Sequence, residues 1–220
     1  MQQIAVIFDM DGVIVHTNPY HSLAFRKLFT AYELNPSQEE FELHMYGKHN
    51  SYIFSHFLNR KIGREELVEL ENEKEALFRE IYATEIDPIH NFLPFLASLK
   101  EAGIPTGIAT SAPRANLDLI ATKLDLFPLM DSVLASEDIH LHKPHPEVYL
   151  KSAENLGIPP ENCLVFEDSF SGITAGLNAG MKVVGVLSSH KKEDLPVCQA
   201  YINDYTDIDA KWVKELMIEN

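Results

Sequence analysis

Five apolar residues, three of them β-branched, run from Ile4 to Phe8 and straight into Asp9-Met10-Asp11-Gly12. Such a run reads as a short buried strand. Two carboxylates two positions apart at the strand's exit repel each other and raise one pKa unless a cation intervenes. A plain turn with an aspartate cap explains one acid followed by glycine, but accounts poorly for both. In parallel α/β sheets, ligands gather at the carboxyl ends of the strands. The first twelve residues therefore limit both the fold and the place where chemistry is expected.

Similar apolar runs recur at Ile104 to Thr110, Val133 to Ala135, Cys163 to Phe166 and Lys182 to Leu187. Helical patterns lie between them. Ile89 to Ala102 carries Phe92, Leu93, Leu96 and Leu99 and stops at Gly103. Pro113 and Pro146 are placed at first helical positions, ahead of Leu117-Ile120-Ala121-Leu124 and Val148-Tyr149-Ala153. Strands alternating with helices imply an α/β fold with a parallel sheet covered on both faces. From Asn18 to about Ala83 only helical patterns occur. Pro19 opens the first of them, and Leu67, Leu70, Lys74, Leu77 and Ile81 follow heptad spacing. The expected organisation is a Rossmann-like core of residues 1–17 and 86–220, with an all-helical cap domain, 18–85, inserted after the first strand. The plainer alternative is an ordinary helical layer of one domain.

Composition excludes some functions. The 220 residues carry a formal net charge of −15, against the clustered Lys and Arg that nucleic-acid binding needs. A few local cations still hold a small phosphate in an acidic protein. No apolar stretch approaches the roughly 20 residues that span a bilayer, and the N-terminus lacks a signal-peptide layout. The two cysteines, Cys163 and Cys198, form no disulfide framework, which fits a reducing cytoplasm. The expected partner is a small phosphorylated metabolite, with no nucleic acid and no membrane, and the expected state is a monomer.

Further motifs follow the later strands. Thr110-Ser111 ends one strand in hydroxyls suited to a phosphoryl group, although Ser111 is also readable as a helix N-cap. Lys143 precedes a proline and a helix start, where it delivers a point charge to phosphate; most lysines are simply solvated. Glu167-Asp168 places two more acids at a strand end, with an acidic helix N-terminus as the plainer reading. Gly172, Gly176 and Gly180 punctuate the next helix. Asp9 and Asp11 suit a nucleophile and an acid/base, in an order that spacing alone leaves open. Magnesium suits such hard oxygen ligands. Motifs at four successive strand ends point to one site.

Phe8-Asp9-Met10-Asp11-Gly12-Val13-Ile14, Thr110, Lys143 and Glu167-Asp168 together resemble the haloacid dehalogenase superfamily. The branch is that of β-phosphoglucomutase-like and phosphoglycolate phosphatase-like proteins with a helical cap, and the resemblance covers nearly the whole chain. It implies Asp9 as nucleophile and magnesium ligand and Asp11 as acid/base, with its backbone carbonyl on the metal. Asp168 is implied as a further ligand, and Glu167 as support for the metal or the lysine. Thr110 and Lys143 hold the phosphoryl group, with Ser111, Ala112 and Arg114 in a loop that touches substrate. Asp11 also separates the chain from the dehalogenases and phosphonoacetaldehyde hydrolases of the superfamily, which lack it.

Three features qualify the resemblance. His16 stands where the branch usually has an acid. His21 keeps the branch's histidine at the first cap helix and is carried with the substrate-binding candidates, as a sensor of closure or a residue that positions Asp11, with an ordinary surface histidine as the alternative. In the loop Tyr46-Gly47-Lys48-His49-Asn50, Asn50 replaces the arginine with which β-phosphoglucomutases grip a distal phosphate. Gly47, Lys48 and Asn50 are carried as substrate-binding candidates, with a solvated polar loop as the alternative. The leading expectation is a magnesium-dependent phosphatase for a sugar phosphate-like metabolite, working through an aspartyl-phosphate on Asp9. β-Phosphoglucomutase, inorganic pyrophosphatase and a non-catalytic binding protein are the alternatives.

Overall fold

Among the residues described by this computed structural model, 3–45 and 50–218, six strands form one sheet. They are β1 (Ala5–Phe8), β2 (Thr106–Ala109), β3 (Ser132–Leu134), β4 (Cys163–Glu167), β5 (Lys182–Val186) and β6 (Ala200–Ile202). The order is β3-β2-β1-β4-β5-β6, and every pairing is parallel. This is the Rossmann-like α/β sheet expected from the alternating pattern.

Register decides where the motifs emerge. Phe8 lies opposite Ile108 on one side and Phe166 on the other. One residue further on, Asp9 stands level with Ala109 and Glu167. Because strand side chains alternate between faces, Ala5 and Ile7 join a core with Val148, Tyr149, Ala153 and Ile173. Phe8 turns to the opposite face and meets Phe92 at 5.2 Å and Phe166 at 5.3 Å between ring centroids. Tyr205 stacks on Phe95 there and donates its hydroxyl to the Val13 carbonyl at 3.0 Å.

The chain divides into two compact units, Met1–His16 with Ile86–Asn220, and Thr17–Glu85. The second unit holds α1 (Asn18–Ala31), α2 (Gln38–Met45), α3 (Asn50–Phe57) and α4 (Arg64–Tyr82). Its core is aromatic, built on Phe25, Phe29, Phe41, Phe54 and Phe57 with Leu70. Each such ring contributes about 1.5–3 kcal/mol when removed from water. The α4 stripe departs from the heptad expectation: Leu70, Lys74, Phe78 and Tyr82 are buried, while Leu67, Leu77 and Ile81 are only half-buried. A 3.5-residue seam belongs to supercoiled helices. Here the large rings Phe78 and Tyr82 take the inner positions at i+4 spacing instead.

The sheet unit adds α5 (Phe92–Glu101), α6 (Arg114–Lys123), α7 (Glu147–Leu156), α8 (Phe170–Asn178) and α9 (Ala210–Ile218). Pro113 and Pro146 are the N-cap residues of α6 and α7, one position earlier than the pattern placed them. Ser111 is therefore not the α6 N-cap. β6, the apolar triplet Ala200-Tyr201-Ile202, is not among the strands expected from the sequence.

Candidate active site

Asp9 leaves β1 with its backbone N–H on the Phe166 carbonyl at 3.0 Å, and its side chain is buried. Lys143, 5% exposed at its side chain, reaches back from the loop before α7. Its ammonium donates to Asp9 Oδ1 at 2.6 Å, to Glu167 Oε1 at 2.8 Å and to the Ala109 carbonyl at 3.1 Å. Three strand ends thus meet on one nitrogen.

Glu167 is committed at both oxygens. Oε1 accepts from Lys143 and from the Tyr149 hydroxyl at 3.1 Å. Oε2 accepts from the backbone N–H groups of Asp168 and Ser169, at 2.8 and 2.9 Å, and from the Ser169 hydroxyl at 3.0 Å. Ser169 in turn caps α8 by accepting from Gly172 N at 3.1 Å. A Cβ at position 172 would lie 1.5 Å from Glu167 Oε1, so the small residue here makes room for the carboxylate.

Asp168 is held by the loop after β5. Ser189 Oγ donates to its Oδ2, Ser188 Oγ lies 3.4 Å from the same oxygen, and His190 Nδ1 meets its carbonyl at 3.1 Å. Ser188 Oγ donates to the Gly12 carbonyl at 2.5 Å, linking this loop to the turn after β1. That turn carries Asp11, whose backbone bridges to Val15, and Gly12 N bonds the Val15 carbonyl at 2.8 Å. Gly12 has φ +75°, and a Cβ there would lie 1.9 Å from Asp168 Oδ2. Conformation and space both require glycine.

The electrostatics are those of one cation facing too many anions. Burial raises Asp9 well above the usual carboxylate range; Lys143 opposes this, while Glu167, Asp11 and Asp168 add to it. Asp168 is pushed up to about 7 by burial and by Glu167, against the Ser189 hydrogen bond. Burial alone would lower Lys143, but Asp9 and Glu167 hold it well above its ordinary value. A second cation would relieve this excess of buried negative charge. One oxygen each from Asp9, Glu167 and Asp168 lies within 4.8 Å of the others. That all-carboxylate set fits a hard divalent ion such as Mg²⁺. Within it, Glu167 already accepts five hydrogen bonds, and Asp9 and Asp168 are the less encumbered carboxylates.

Thr110 is buried beside this cluster at the end of β2. Its Oγ1 accepts from Ala112 N at 3.0 Å, which leaves the hydroxyl hydrogen to donate elsewhere. Ala112 is buried and Ser111 exposed. Arg114 points to the β3 side: its guanidinium pairs with Asp138, and its backbone N–H donates to Glu137 at 2.9 Å. The structure brings together Asp9, Lys143, Glu167 and Asp168, and commits Arg114 to a separate ion pair.

In the helical unit, Lys74 Nζ bonds His21 Nδ1 at 2.8 Å and Glu75 Oε1 at 2.6 Å. The His21 ring stacks on Phe78 at 3.9 Å. Asn50 opens α3 and donates to Glu71 at 3.1 Å. Gly47 and Lys48 lie outside the described residues. His16 is exposed at the end of its unit. Sequence reasoning missed Tyr149, Ser188, Ser189 and His190. The serines directly follow a strand run that was identified, so the strand-end rule applied to β5 would have reached them.

A family model described as haloacid dehalogenase-like hydrolase matches residues 6–186. A Thermotoga maritima protein named phosphorylated carbohydrates phosphatase is 32% identical over 190 residues, 84% of this chain and 86% of its own. Among solved structures, a haloacid dehalogenase hydrolase of family IA, variant 3, from Entamoeba histolytica aligns with a TM-score of 0.91. It is 27% identical and covers 100% of both chains. β-Phosphoglucomutase from Clostridium difficile aligns with a TM-score of 0.81 at 27% identity, over 98% of this chain and 97% of that one.

Proposed function

The chain belongs to the haloacid dehalogenase-like hydrolases, and from that membership we propose that it is a phosphatase for a small phosphorylated carbohydrate. The observation that carries this reading is Lys143 bridging Asp9 and Glu167, with Asp168 alongside. A buried carboxylate next to a fixed ammonium is suited to attack a phosphoryl group whose charge the ammonium shares. The Thermotoga maritima relative, named for phosphorylated carbohydrates, supports the substrate class.

In the proposed reaction, an Asp9 oxygen attacks phosphorus while the bond to the sugar oxygen breaks. Asp11 gives its proton to the departing alkoxide. Lys143 and the Thr110 hydroxyl hold the phosphoryl oxygens. Asp11, now a carboxylate, takes a proton from water as the water oxygen attacks phosphorus, which releases phosphate and restores Asp9. Asp9 and Asp168 would hold Mg²⁺ with the Asp11 backbone carbonyl, supplying positive charge where negative charge gathers on the phosphoryl oxygens. Glu167 keeps Lys143 in place. Residues 18–85 act as the cap, carrying Gly47, Lys48, Asn50 and His21 as candidates for substrate choice. A cytoplasmic site of action fits the absence of disulfide pairing.

Phosphate release across sugar phosphates, phosphoglycolate and pyrophosphate, with Mg²⁺ and with chelator, tests the proposal. Rapid, Mg²⁺-dependent release from one carbohydrate ester is the expected result; no release from any ester overturns it. Asp9→Asn is expected to lose about 10⁴-fold or more in kcat, as removal of a nucleophile does. The likeness to β-phosphoglucomutase favours a second reading, an isomerase. Asn50, whose amide is engaged with Glu71, supplies no cation for a distal phosphate. Conversion of glucose 1-phosphate to glucose 6-phosphate without net phosphate release would decide for the isomerase.

A further inference from the structure

The loop after β5 places two hydroxyls and one backbone wall around a single oxygen of Asp168. Each hydroxyl has one hydrogen to give. Ser188 spends its own on the Gly12 carbonyl at 2.5 Å, and Ser189 directs its own to Asp168 Oδ2. The Gly12 backbone lies so close that a Cβ there would meet the same Oδ2 at 1.9 Å. His190 fixes the Asp168 carbonyl from the same loop at 3.1 Å. All hydrogen bonds recorded for this carboxylate among the described residues fall on Oδ2, so Oδ1 is the oxygen left to a cation.

We infer that Ser189, braced by Ser188, is a positioning residue that restricts Asp168 to one ligand oxygen and thereby selects Mg²⁺ over Ca²⁺. Mg²⁺ demands six close ligands in near-ideal octahedral geometry. Ca²⁺ takes six to eight at longer range and readily accepts both oxygens of one carboxylate. A carboxylate whose second oxygen is walled in suits the smaller ion and denies the larger one its extra contact. Outer partners of this kind commonly change metal affinity 10- to 100-fold. The inference rests on the reading of Asp168 as a metal ligand.

The test is calorimetric titration of the full chain with MgCl₂ and, separately, with CaCl₂. Wild type, Ser189→Ala, Ser189→Thr and Asp168→Asn are compared, with the metal-free melting temperature recorded for each. Ser189→Ala is expected to shift the ratio of Mg²⁺ to Ca²⁺ dissociation constants about tenfold towards Ca²⁺, and Ser189→Thr, which keeps the hydroxyl, to restore it. If the alanine variant fails to fold, Ser189→Cys, a weaker donor of similar size, takes its place. An unchanged ratio in a variant whose wild type binds Mg²⁺ overturns the role of Ser189 and leaves the metal site standing. Binding by wild type that survives intact in Asp168→Asn, or no binding by wild type, overturns the reading of the site itself and the inference with it.

Discussion

Glu167 shows how many neighbours one buried carboxylate holds in place. It holds Lys143, Tyr149 and the first turn of α8 at once. Gly172→Ala would drive a methyl to 1.5 Å from Oε1, and the carboxylate must move. The expected cost is about 1–3 kcal/mol, the usual range for overpacking, read as a lower urea midpoint, with turnover falling further than stability because Lys143 loses its anchor. Glu167→Gln keeps the shape and removes the charge. Its expected effect is a 10- to 100-fold drop in kcat, measured as phosphate release at saturating Mg²⁺. Asp9 and Asp168 were legible in the sequence as acids at the ends of apolar strand runs, and Lys143 by its place before a proline and a helix start. Tyr149 was not: its ring reads as helix core, and only the fold aims its hydroxyl at Glu167. Arg114 was legible as a cation, but its pairing with Asp138 depends on where β3 ends.

Among the elements, five of the six strands were legible as apolar runs between helical patterns, while the triplet Ala200-Tyr201-Ile202 of β6 was not. The proline-marked helix starts were right to within one residue. The junction of β2 and β3 shows a stabilising device that periodicity does not reveal. Asp131, beside the start of β3, accepts from Lys100 Nζ at 2.8 Å and from Thr106 N at 3.0 Å. Partial burial would raise its pKa, but these two hydrogen bonds and the lysine's charge hold it below the ordinary carboxylate value. An acid with a depressed folded pKa stabilises the fold above its unfolded pKa of about 3.9 and loses that contribution as pH falls through the folded value. The side chain is half exposed, so solvent screening limits the effect to about 1 kcal/mol. Asp131→Asn is therefore expected to lower stability at pH 7 and to match wild type near pH 2, as urea midpoints across that range would register.

At the scale of the whole molecule, the helical insert was legible as a break in strand–helix alternation. Its individual loops were not, since polar loop residues carry little directional pattern. Each unit owns a hydrophobic core, which makes a single cooperative transition sensitive to local damage. Phe29→Ala removes a central ring of the helical unit, at an expected local cost of about 3–5 kcal/mol. Trp212, the one tryptophan in the chain, lies on α9 of the sheet unit. In that variant, helical circular dichroism should begin to fall at lower urea than the fluorescence of Trp212; coincident curves would show the units unfolding as one. The order of the strands also has a consequence for how the protein is made. β1 sits at the centre of the sheet, yet Val6 pairs with Thr106 and Leu164. At roughly 5–20 residues per second, a ribosome that has finished β1 needs on the order of ten seconds to deliver the first of those partners. For that interval β1, apolar throughout, has both hydrogen-bonding edges open.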